Sequence, residues 1–255
     1  MTIALIAARG GSKRLPRKNI RLFCDIPLIA WSILQAQSSK YIDECYVTTD
    51  DDEIESISIK YGAKVIRRPD WEDANEAAAN RPFIHAIEIL KEKYGDKFNE
   101  VLTILPTTPL NKPGDFDLGI EAFRKYGPHW IGPLRPMREA VIYKKTHPQY
   151  CVCELFSKGY KHLGEAGGWT ISDPNYYLSF NKEISDLDAD LNDMDNWVAR
   201  ERFFFPVEYW QYADVDTLEE FEFAELVMNY YILKGRKYDE VYKVIDTKPL
   251  PFNGD

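Results

Sequence analysis

The stretch Ile3–Asn19, IALIAARGGSKRLPRKN, decides how the rest of the chain is read. Ile3, Ala4, Leu5, Ile6, Ala7 and Ala8 form an uncharged apolar run of strand length. Arg9-Gly10-Gly11-Ser12 breaks the run, and Lys13, Arg14, Arg17 and Lys18 follow at once. A buried strand that empties into a glycine turn crowded with cations is how an α/β protein builds a phosphate site. The glycines permit close backbone approach, and the cations neutralise phosphate oxygens. The same charges could be a merely solvated loop. Their place at the carboxyl end of the first strand, where open α/β sheets bind ligands, favours the phosphate site. Neither common nucleotide motif is present, because the P-loop spacing and the Gly-x-Gly-x-x-Gly fingerprint are both missing.

A chain of 255 residues is long enough for one large α/β domain with room for a small appendage. Its net charge of −9 argues against a general nucleic-acid or anionic-membrane binder, so the basic loop is a local exception in an acidic protein. No run of about twenty apolar residues predicts a membrane span, and the amino terminus lacks a signal pattern. The expectation is a cytoplasmic protein. Cys24, Cys45, Cys151 and Cys153 make no disulfide framework at this size, and Cys151-Val152-Cys153 lacks the spacing of a zinc site.

Downstream, Pro27–Ala36 has helical apolar spacing, with Pro27 suited to a first turn. Glu44–Thr49 reads as the second strand. It ends in Asp50-Asp51-Asp52, which can cap the next helix or hold metal, capping being favoured. Gly62–Pro69 is a turn, a short strand and a basic stop, and Phe83–Leu90 a helix whose His85 reads as structural. Glu100–Pro106 is a buried strand opening into Thr107-Thr108-Pro109-Leu110. Asp115–Phe123 follows as a helix and Trp130–Arg135 as a strand. This alternation predicts an α/β three-layer sandwich with a mostly parallel sheet. The region of about 139–195, rich in aromatics and glycines, reads as β-hairpins or loops inserted beside that sheet. Within it the five aspartates between Asp186 and Asp195 read as a solvated loop, since no EF-hand glycine or glutamate accompanies them.

The second decisive stretch is Ala213–Glu225. In extended backbone, residues two apart face one side, so Asp214 and Asp216 can present two carboxylates to one Mg²⁺ ion. Equally, Asp216-Thr217 can start the helix that runs from Leu218 to Tyr231. The residues alone leave both readings open.

Ala8–Asn19 closely resembles the first motif of the acylneuraminate cytidylyltransferases, the CMP-sialic acid synthetases and their relatives acting on pseudaminic and legionaminic acids. Val47–Asp51, Arg68-Pro69, His85-Ala86, Pro106–Leu110 and Ala213–Glu225 resemble later segments of that family in the expected order. The resemblance implies a nucleotide-diphospho-sugar transferase-like fold and one cytidylyltransferase domain over 1–255, with sugar pocket and dimer contact in the inserted region. It implies that CTP and a nine-carbon 2-keto sugar acid react to give a CMP-sugar and pyrophosphate, with Mg²⁺ on Asp214 and Asp216. Arg9, Ser12, Lys13 and Lys18 would hold the triphosphate, with Arg14 and Arg17 as helpers. The backbone at Ala7 and Ala8, with Asn19 and Arg68, would place the nucleoside. Arg9, Lys18 and Asp216 would carry the catalysis, and the protein would be a homodimer. Leu105 stands where sialic acid synthetases carry glutamine, and Asn111 where they carry arginine, which leaves the acid open. The alternatives are a nucleotidyltransferase for another acid or a phosphorylated acceptor, and a non-catalytic nucleotide-binding protein.

Overall fold

The first strand, β1 (Thr2–Ala7), is buried along nearly its whole length because both its faces and both its edges are covered. In the computed structural model, residues 1–69, 71, 80–136, 163–165, 168–178 and 202–243 are described. The Cys151/Cys153 pair, the Asp186–Asp195 run, most of 139–195 and the tail Pro249–Asp255 lie outside the described residues.

After β1 the chain makes a short hairpin, β2 (Leu22–Phe23) and β3 (Ile26–Pro27), then α1 (Leu28–Gln37), β4 (Glu44–Thr49), α2 (Asp52–Lys60) and β5 (Lys64–Arg67). Next come α3 (Arg81–Tyr94), β6 (Glu100–Ile104), α4 (Asp115–Tyr126) and β7 (Trp130–Pro136). β8 (Leu163–Glu165), β9 (Trp169–Ser172), β10 (Arg202–Pro206), α5 (Leu218–Val227) and a short α6 (Tyr238–Val241) complete the order. The main sheet runs β10-β7-β9-β6-β1-β4-β5, with β8 on β7. β5, β4, β1, β6, β7 and β10 point one way, while β8 and β9 run against them.

Alternation along β1 sorts the layers. Ala4 and Ile6 pack with Ile29 and Ile33 of α1, Ile54 of α2, and Phe116 and Ile120 of α4. Ile3 and Leu5 pack on the opposite face with Phe83, Ile84, Ile87 and Leu90 of α3. α1 is buried from Leu28 through Ala36. Its second side, through Leu28, Trp31 and Leu34, meets Phe221, Ala224 and Met228 of the carboxyl-terminal helix and Tyr242 beyond it. A helix apolar all round is one enclosed on every side. This packing joins the last described segment of the chain to the first loop. Among the described residues no helix is long and apolar enough to cross a membrane.

β8 and β9 depart from the expectation of hairpins or loops beside the sheet. β8 and β9 belong to the main sheet, and β9 lies between β6 and β7, with Leu102 opposite Ile171. The physical reason is burial on both faces: Trp169 and Ile171 fill the α4 side, while Thr170 bonds Thr103 and Tyr177 on the other.

Candidate active site

Loops from the carboxyl ends of β1, β4, β5 and β6 converge at the point where the strand order reverses around β1. The loop after β1 is built by a few specific bonds. The Ala8 amide donates to Thr48 O at 3.0 Å, so pairing with β4 continues one residue past the strand. Gly10 N donates to Asp50 Oδ1 at 3.2 Å, Ser12 N to Gly10 O at 3.0 Å, and Asn19 Nδ2 to Arg9 O at 3.0 Å. Leu15 is buried in the same cluster as Trp31 and Phe221 and anchors the loop from below. Gly10 has no room for a side chain, because an added Cβ would stand 2.3 Å from Asp51 Oδ2.

The aspartates after β4 organise this loop. Asp51 caps α2, its Oδ1 accepting from Glu53 N at 3.0 Å and Ile54 N at 2.9 Å. Arg17, in the left-handed region at φ 58°, reaches back to Asp51 at 2.5 Å and also pairs with Glu53. The Arg17 guanidinium, aided by the α2 amides, holds the Asp51 carboxyl below the usual carboxylate range. Asp50 takes both the Gly10 amide and the Arg68 guanidinium, the latter at 3.2 Å. Asp50 thus couples the backbone of the loop after β1 to Arg68, a role that sequence reasoning missed. The signal was only its place at the end of β4, since Gly10 and Arg68 reach it through the sheet pairing.

Of the loop cations, Arg9 and Lys13 are exposed and have no ion-pair partner among the described residues. Lys18 is buried. Its ammonium donates to Val215 O and, at 2.7 Å, to Asp216 Oδ1. Arg14 pairs with the other oxygen of Asp216. Asn19 is buried, and its Oδ1 has no hydrogen-bond partner among the described residues. Ser12 is half-buried in the same turn.

Along 213–216 burial alternates: Ala213 and Val215 are buried, Asp214 is exposed and Asp216 half-buried. Val215 N donates to Thr107 O at 2.8 Å, so the segment is stitched to the loop after β6. Thr217 is the residue that caps α5. Glu220 closes the capping box by accepting from Thr217 N at 2.8 Å and from Asp216 N at 2.9 Å. Those two backbone donors hold the Glu220 carboxyl below its ordinary range. The Asp216 side chain is therefore not spent on the cap. Two carboxylates on one side offer hard oxygens that suit a small divalent cation, with phosphate and water completing its shell. Among the described residues no group of three or more His, Cys, Asp or Glu side chains is placed to hold a metal ion.

Leu105 is exposed at the end of β6, its N–H donating to Gly168 O at 2.7 Å. Asn111 faces inward: its amide donates to Gln35 Oε1 at 3.0 Å and to Thr108 O at 3.1 Å. The structure therefore brings together Arg9, Ser12, Lys13, Lys18, Asn19, Arg68 and Asp216 around the end of β1, with Ala7 and Ala8 leading in and Asp214 beside them.

Residues 3–147 match the model of a cytidylyltransferase family. The chain is 28% identical over 238 residues to the pseudaminic acid cytidylyltransferase of Campylobacter jejuni, covering 88% of this chain and 95% of the relative. It is 36% identical over 128 residues to the CMP-N,N'-diacetyllegionaminic acid synthase of Legionella pneumophila, covering 49% of this chain and 54% of the relative. A solved CMP:2-keto-3-deoxy-manno-octonic acid synthetase complexed with CTP superposes with a TM-score of 0.65 at 16% identity, covering 89% of this chain and 98% of that one.

Proposed function

The chain belongs to the cytidylyltransferase family, and from that premise we propose that it transfers CMP from CTP to a nine-carbon 2-keto sugar acid, releasing pyrophosphate. It is a CTP-dependent nucleotidyltransferase. A 2-keto sugar acid acceptor is supported by the relatives named for pseudaminic and legionaminic acids.

The observation that carries the site assignment is the Lys18–Asp216 ion pair, which links the first loop to the carboxylate segment beside two exposed cations. Arg9 and Lys13 take the triphosphate, with Ser12 donating from the same turn. Lys18 holds Asp216 and Val215 in place at the loop's edge. Asn19, with an open buried acceptor, and Arg68, braced by Asp50, place the nucleoside. The Ala8 amide already serves Thr48, so Ala7 and Ala8 act as the floor on which the nucleoside rests. Asp214 and Asp216 would hold Mg²⁺, which would supply neutralisation of phosphate oxygens and of the leaving pyrophosphate. The chain's own part in the transfer is charge neutralisation and alignment of the sugar hydroxyl with the α-phosphorus. No protein nucleophile takes part. The proposal extends to a homodimer acting in the cytoplasm, and light scattering would read the dimer directly.

Leu105 favours a second acceptor class. An exposed leucine at the end of β6 offers an acceptor an apolar contact in place of a hydrogen-bonding amide. One assay decides between the two: pyrophosphate release with CTP and Mg²⁺ over pseudaminic, legionaminic, sialic, deaminated sialic and eight-carbon keto-deoxy acids. Turnover of one nine-carbon acid, lost in Asp216→Ala, is the expected result. Turnover only of the eight-carbon acid, or of none despite CTP binding, would overturn the proposed acceptor.

A further inference from the structure

The two cations on Asp216 are not equivalent. Lys18 occupies Oδ1 with a side chain only 9% exposed, and its ammonium also bonds the Val215 carbonyl. That backbone is itself fixed by Val215 N on Thr107 O. Arg14 occupies Oδ2 with a side chain 70% exposed, and among the described residues Asp216 is its one ion-pair partner. An ion pair that exposed is weak, so a stronger anion displaces it readily. Lys18 is a resident partner and Arg14 an exchangeable one.

We propose that Arg14 is a placeholder for the divalent cation. It covers Oδ2 of Asp216 while nucleotide is absent and moves to the triphosphate when CTP arrives, opening that oxygen as the metal enters with the nucleotide. The proposal rests on the metal assignment given above and deepens it, because it makes Arg14 a positioning residue and fixes the order of binding. Charge explains why the device works. With Arg14 in place, the side chains of Asp214, Asp216, Lys18 and Arg14 sum to zero, and a free divalent ion finds no net attraction and no open oxygen on Asp216. A triphosphate held by Arg9 and Lys13 lies within the same loop as Arg14 and offers its guanidinium a bidentate partner. Once Arg14 turns to it, a net negative charge and a bare Oδ2 remain for the cation.

The test is Mn²⁺ binding to the full chain, read by the loss of the free-ion electron paramagnetic resonance signal. It is run without nucleotide and with saturating α,β-methylene CTP, after subtraction of Mn²⁺ bound by the analogue alone. Without nucleotide, Arg14→Gln should bind Mn²⁺ about tenfold more tightly than the wild type. With the analogue bound, the two should have equal affinity, because Arg14 has already left Asp216. No gain without nucleotide overturns the proposal, as does an equal gain in both states, since a guanidinium that never leaves would repel the ion throughout. Asp216→Asn separates this from the underlying assignment. If it abolishes the analogue-dependent Mn²⁺ site while Arg14→Gln shows no gain, the metal assignment stands and the placeholder fails. If it leaves that site intact, both fall.

Discussion

Gly10 and Gly11 are neighbours in sequence with different physical duties. A Cβ at Gly10 would collide with Asp51 at 2.3 Å, and Asp51 is at once the cap of α2 and the anchor of Arg17. Gly10→Ala should therefore displace Asp51 and cost about 1–3 kcal/mol of stability, seen as a lower urea midpoint, and it should raise the KM for CTP. Among the described residues a Cβ at Gly11 meets nothing within 4 Å. Gly11→Ala should fold as well as the wild type, so any loss of CTP affinity in it reports close approach of the phosphates to that backbone. Equal destabilisation of the two variants would contradict this division. The glycine pair and its cations were legible in the sequence because they are local. Which glycine is sterically pinned was not, because the colliding atom comes from the far end of β4.

At the scale of elements, the turn between β2 and β3 shows how the two ends of the chain meet. Cys24 and Asp25 both have positive φ, 44° and 71°, where two-residue hairpins ordinarily place Asn-Gly. Glu225 on α5 holds this turn by accepting from Cys24 N at 2.7 Å. Burial, then the Glu225 and Asp25 charges, push the Cys24 thiol up to about 12, so it stays protonated and inert at neutral pH. Asp25→Gly should stabilise the protein by about 0.5–1 kcal/mol through relief of the left-handed backbone. Glu225→Ala should destabilise it by about 1–3 kcal/mol by stranding the Cys24 amide. Urea midpoints check both, and a destabilising Asp25→Gly would mean that the aspartate side chain outweighs the backbone. β1, its loop, β4, α2 and the Asp214/Asp216 stretch could be read from periodicity and local chemistry, because their signals lie within a dozen residues. β9 could not: Trp169–Ser172 is only four residues long, and nothing in them announces a place between β6 and β7. β10 carries no alternation at all, only Phe203-Phe204-Phe205 in a run. The sequence left metal and cap even at Asp216; the structure gives the cap to Thr217, and the metal reading stays a proposal.

Across the whole molecule, the site is where polar contacts between distant parts of the chain gather. The core clusters close each face of the sheet separately. Between the first loop and α2 the joints are carboxylates: Asp51 on Arg17, Glu53 on Arg17, Asp50 on Gly10 and Arg68. Acid should therefore loosen the site before the sheet. The sign follows from Asp51, whose folded pKa is held low by Arg17 and then by the α2 amides. A depressed carboxylate contributes stability that is present above its unfolded pKa, about 3.9, and lost as pH falls through the folded value. Asp115 works the other way, because burial pushes it up, so its ionised form disfavours the folded state above its unfolded pKa. Replacing Arg17 by Gln removes the first cause of the Asp51 shift and leaves Asp115 untouched. Urea midpoints measured from pH 6 down to pH 3 should then fall less steeply in Arg17→Gln than in the wild type, the two curves converging at the acid end. Curves that stay parallel would mean that the Arg17–Asp51 joint carries none of the acid sensitivity, and that the loop after β1 is held by its backbone bonds and Leu15 instead.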